Sequence, residues 1–152
     1  VTNLTDNPAR GQWSPAWSPD GTRLVFVQTP QGVGSGDVSI MDADGTGMSS
    51  LGVDGLDPAW SPTGDRIAIT GGCCAVGPWI YLVAPDGSGA VGIANPLGLD
   101  GSEPAWSPDG TRLAFVVRKG DLTEIWGMGA AGGAMWRLTG GTDASDSAPA
   151  WQ

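Results

Sequence analysis

Closely similar thirteen-residue strings recur three times in this chain. Residues 15–27 read PAWSPDGTRLVFV, residues 58–70 PAWSPTGDRIAIT and residues 104–116 PAWSPDGTRLAFV. A fourth copy opens at Pro149-Ala150-Trp151. The repeated tryptophans Trp17, Trp60, Trp106 and Trp151 are 43, 46 and 45 residues apart. A unit of that length, made of short apolar runs and turns, cannot bury its own faces and must stack on its neighbours.

Each unit resolves into four strand candidates. The first is the short Pro-Ala-Trp stretch. The second alternates: Leu24–Val27, Ile67–Thr70 and Leu113–Val116. The third covers Val38–Met41, Ile80–Val83 and Glu124–Met128, and the fourth Met48–Leu51, Val91–Ala94 and Met135–Thr139. Alternation with period two fits strands, and no stretch carries a helical period. The class is therefore all-β. A period of about 40–45 residues with four strands per unit reads as a β-propeller of three four-stranded antiparallel blades. The blades span about residues 15–52, 58–94 and 104–139.

The turns agree. Ser-Pro-Asp-Gly at 18–21 and 107–110 sets Pro where a fixed φ fits and Gly where a left-handed residue is needed. Ser61-Pro62-Thr63-Gly64 keeps Pro and Gly and loses the Asp. The 26 Gly and 12 Pro thus read as turn chemistry and not as disorder. Asp42-Ala43-Asp44-Gly45 resembles the start of a calcium loop, but Val53 stands where the bidentate Glu belongs, so a turn between strands is expected.

Composition removes several functions. With 16 acidic residues, 7 basic ones and a net charge of −9, nucleic acid and anionic membrane surfaces are poor partners. No run of 18 apolar residues marks a membrane-inserted helix. The chain has no histidine, so neither Ser-His-Asp nor Cys-His catalysis can be assembled within it. Phosphate-cradling loops and Gly-x-Ser-x-Gly are absent as well. No catalytic residue is assigned. Cys73 and Cys74 are adjacent, which leaves two free thiols, a strained vicinal disulfide or an intermolecular bridge as readings.

Three sets of residues are candidates for more than folding. Trp17, Trp60, Trp106 and Trp151 either fill the space between blades, in equivalent buried positions, or stack on a ligand. Trp13, Trp79, Trp126 and Trp136 lie off the repeat and are candidates for exposed aromatics. Arg23, Arg66 and Arg112 either clamp a ligand or anchor their turns through a hydrogen bond or ion pair. The residues before Pro-Ala-Trp are Ser14, Asp57, Glu103 and Ala148. Inner strands of a propeller line its channel, so Ser14, Asp57 and Glu103 are expected at one mouth. There Asp57 and Glu103 either hold a hard cation such as calcium or are solvated rim acids. No other cofactor is expected.

The string PAWSPDGTRLAFV resembles the repeat of TolB-like propellers. So do the trailing Ile40-Met41-Asp42-Ala43-Asp44-Gly45-Thr46-Gly47, Pro85-Asp86-Gly87-Ser88-Gly89 and Arg137-Leu138-Thr139. The resemblance implies a six-bladed ring, of which three blades are half. It also implies a periplasmic or extracellular setting and work as a non-catalytic protein-interaction scaffold. Similar repeats form the accessory propeller of prolyl-oligopeptidase-type hydrolases, and a carbohydrate- or calcium-binding propeller is a third reading. Residues 1–5 and 149–152 read as strands of flanking blades, which favours part of a longer propeller. The partner expected is a protein, or a second copy that completes the ring as an oligomer.

Overall fold

The computed structural model describes residues 3–5, 9–30, 36–71, 80–93, 100–140 and 145–151. Every regular element among them is a strand, and no helix is long and apolar enough to cross a membrane. The strands are β1 (Arg10–Trp17), β2 (Arg23–Pro30), β3 (Gly36–Asp42), β4 (Ser49–Trp60), β5 (Ile67–Gly71), β6 (Ile80–Val83), β7 (Val91–Ile93), β8 (Asp100–Trp106), β9 (Arg112–Lys119), β10 (Leu122–Gly129) and β11 (Met135–Arg137). Cys73, Cys74 and Trp79 lie outside the described residues.

All neighbouring strands pair antiparallel and in chain order, β1 to β7 in one sheet and β8 to β11 in another. Strand β4 serves two units. Its start pairs with β3, Ser49 opposite Ile40, and its end pairs with β5, Trp60 opposite Ile67. The first strand of each unit is longer than Pro-Ala-Trp, because it runs in from Arg10, from β4 and from Asp100.

The core lies between units. Alternation sends Val25 and Val27 to one face of β2 and Leu24 and Phe26 to the other. Val25, Val27, Val38, Ile40 and Leu51 of the first unit pack against Trp60, Ile67, Ile69 and Val83 of the second. Ala68, Ile80 and Ile93 of the second pack against Leu113, Phe115, Val117 and Met128 of the third. Each unit thus has a face toward the unit before and a face toward the unit after.

Glycine permits close approach at these seams. A Cβ on Gly87, whose φ is +83°, would stand 2.7 Å from the Leu51 carbonyl oxygen. Gly45 has the same relation to the Leu4 carbonyl oxygen, at 3.0 Å. Leu4 therefore meets the first unit as Leu51 meets the second. Residues 3–5 and 145–151 are not assigned to strands.

Candidate functional site: the bulge mouth

In β1, β4 and β8 the pairing register slips at one place, between Trp13 and Ala16, Leu56 and Ala59, and Ser102 and Ala105. A proline stands inside each slip. Pro15, Pro58 and Pro104 cannot donate a ladder hydrogen bond, and each restricts the residue before it. The strand responds with a bulge. Ser14, Asp57, Glu103 and Ala148 all sit in the left-handed region, with φ of +47°, +47°, +54° and +49°. A non-glycine residue there costs about 1–2 kcal/mol.

The bulges converge. Ser14, Asp57, Glu103, Ala148 and the four prolines that follow them line one open depression of about 280 Å³. Ser14 Oγ donates to Asp57 Oδ1 at 3.3 Å, and the Ala148 N–H donates to Glu103 Oε2 at 2.8 Å. Each carboxylate is thus bonded to the bulge of a neighbouring unit. No basic side chain lines the depression, so it presents negative charge and proline rings. Among the described residues no group of three or more His, Cys, Asp or Glu is placed to hold a metal. The depression thus brings together Ser14, Asp57 and Glu103, the three residues named from sequence. Sequence reasoning put Ala148 at the same repeat position without placing it at the mouth, and it did not name the four prolines.

The repeated turns are built around a carboxylate. Asp20 Oδ1 accepts from Ser18 Oγ at 2.6 Å, from the Thr22 N–H at 3.0 Å and from Thr22 Oγ1 at 2.9 Å. Ser18 Oγ in turn accepts the Arg23 N–H at 2.9 Å. Asp109 is held in the same way by Ser107 and Thr111. The Ser18 and Ser107 hydroxyls, followed by the bonds from Thr22 and Thr111, lower Asp20 and Asp109 to about 2. The second unit has not lost this device. Asp65 accepts from Ser61 Oγ at 2.9 Å and from Thr63 Oγ1, so Asp and Thr have exchanged places. The Asp42–Gly45 segment is also a turn, with the Gly45 N–H on the Asp42 carbonyl at 2.9 Å.

The tryptophans and arginines together make a clasp. The indole N–H groups of Trp60, Trp106 and Trp151 donate to the carbonyl oxygens of Ala16, Ala59 and Ala105 in the unit before, at 3.2, 3.0 and 3.1 Å. Arg23 lies over the Trp60 ring at 5.1 Å and Arg112 over the Trp151 ring at 5.2 Å. This corrects the expected turn anchor: Arg23 and Arg112 stack on the next unit's tryptophan. Their constant place six residues after Trp17 and Trp106 was the signal for it.

The expectation of equivalent burial also fails. Trp60 is 8% exposed, Trp106 and Trp151 are half-buried, and Trp17 is 55% exposed. Off the repeat, Trp13 and Trp136 are exposed, at 57% and 37%. Trp126 instead packs on the core of the third unit, with its indole N–H on Glu124 Oε2 at 3.0 Å.

No family model matches the chain. The Tol-Pal system protein TolB of Rhizorhabdus wittichii is 40% identical over 50 residues, which is 32% of this chain and 11% of that protein. The TolB structure from Agrobacterium tumefaciens superposes with a TM-score of 0.74 at 24% identity, over 90% of this chain and 51% of that one. TolB from Acinetobacter baumannii gives a TM-score of 0.67 at 25% identity, over 86% and 32%. The chain spans about half of the first structure and a third of the second. A puromycin hydrolase shares the fold alone, with a TM-score of 0.69 at 18% identity over 91% of this chain and 23% of that one. Repeat, strand order and these likenesses agree on the fold: the chain is built as a β-propeller similar to those of the TolB structures.

Proposed function

We propose that the chain is a non-catalytic binding module, a TolB-like scaffold that meets a protein partner at the bulge mouth. The observation that carries this reading is the convergence of Ser14, Asp57, Glu103 and Ala148 on one depression, held in strained backbone and linked unit to unit. The absence of histidine from the sequence supports binding over hydrolysis. The relative's name places it in a Tol-Pal system, so the partner we propose is the Pal protein of the same organism, and the compartment is the periplasm. Further blades, from a longer chain, a partner or a second copy, complete the ring.

Titration calorimetry of the purified chain with purified Pal tests the reading. Saturable binding is expected, weakened at least tenfold by Asp57→Lys and by Glu103→Lys. No binding, or binding indifferent to both substitutions, sinks it. A peptidase or esterase activity of the purified chain, lost on a point substitution in it, would favour an enzyme instead.

A further inference from the structure

The clasp is closed between the first and second units and open between the second and third. Arg23 stacks on Trp60, which is buried. Arg66, its counterpart in the repeat, is exposed. Among the described residues its side chain stacks on no ring and joins no ion pair. The Asp65 carboxylate beside it is committed to Ser61 and Thr63. Trp106 keeps its bond to the Ala59 carbonyl and is only half-buried.

The outer turn of the third unit differs at the same seam. In the first two units this turn carries a carboxylate that accepts an N–H from two residues on, Asp44 from Thr46 and Asp86 from Ser88, each at 2.9 Å. The third unit has Ala131 and Gly133 in those places. The approach of the turn is also looser. A Cβ on Gly87 would stand 2.7 Å from the Leu51 carbonyl oxygen, whereas one on Gly132 would meet Ile93 Cγ2 alone among the described residues, at 3.5 Å. Between the units lies a cavity of about 400 Å³, with Arg66, Leu82, Val91 and Ile93 on one side and residues 130–133 on the other. Among the described residues that line it, Arg66 is the one charged group.

We propose that this cavity binds a small amphipathic carboxylate, an acid group on a short apolar chain. The guanidinium fork matches a carboxylate through two parallel hydrogen bonds. Leu82, Val91 and Ile93 give the chain an apolar wall, as small-molecule sites do. A dianionic phosphate fits less well, since Asp65 beside Arg66 and the net charge of −9 oppose a second negative charge. The ligand touches two units at once, so it stabilises their seam.

Titration calorimetry of the purified chain with octanoate, kept monomeric, tests the proposal. Saturable one-to-one binding and a raised melting temperature are expected. Arg66→Gln should weaken binding by about tenfold or more, because a charge-assisted bond is lost. Ala131→Phe fills the cavity, leaves the charge in place and should weaken binding as much. Both positions are exposed, so both variants should keep the circular dichroism spectrum of the wild type. Octanol, which has the chain without the acid, should bind about tenfold more weakly or worse. No saturable binding of octanoate, equal affinity in Arg66→Gln or Ala131→Phe, or equal affinity for octanol overturns the proposal. None of the cavity residues lines the bulge mouth, so titration with Pal reads that site separately.

Discussion

At the scale of single residues, hydroxyl and amide donors hold the turn carboxylates in their charged form. Asp20 and Asp109 titrate at about 2 in the folded chain against an ordinary 3.8, because hydroxyl and amide donors hold the charged form. A depressed folded pKa adds stability that is present above the unfolded value and is lost as pH falls through the folded one. The melting temperature should therefore hold steady from about pH 7 to about pH 5 and fall between about pH 4 and about pH 2. Asp20→Asn/Asp109→Asn should flatten that fall; an unchanged acid limb in the double variant contradicts the assignment. The second unit shows how far this was readable. In sequence, Thr63 reads as a lost aspartate. In space, Asp65 and Thr63 rebuild the same bonds, because Ser61 Oγ needs only a carboxylate within reach.

At the scale of the strand, the bulge is a backbone demand made by proline, and side chains answer it unequally. Asp57 has φ +47°, which aspartate tolerates better than most residues and a β-branched side chain hardly at all. Asp57→Asn should change stability by less than about 0.5 kcal/mol. Asp57→Val should cost about 2 kcal/mol, measured by urea unfolding. Equal effects from the two would show that the left-handed geometry is not retained in solution. The strands themselves were visible from alternation. Their true length was not, since the residues ahead of Pro-Ala-Trp carry no alternation of their own and are made strand by β2, β5 and β9 pairing beside them.

Across the whole molecule, one motif has two energies. Trp60 is buried between units, bonded to Ala16 and stacked by Arg23; Trp17 has the same sequence around it and lies half in solvent. Trp60→Ala should cost about 3–5 kcal/mol in the chain as a monomer, as removal of a buried aromatic does. Trp17→Ala should cost less than about 0.5 kcal/mol there. Guanidinium chloride unfolding at low protein concentration measures both. Similar losses would mean that Trp17 is covered as Trp60 is.

The sequence by itself determined the repeat, the all-β class and the order of the strands. All of these follow from local rules: alternation, turn residues and a period that must stack. Only the tertiary structure decided which tryptophan is core and what each arginine does. Burial and stacking belong to the neighbour and not to the residue, so similar strings take different fates according to what packs on them.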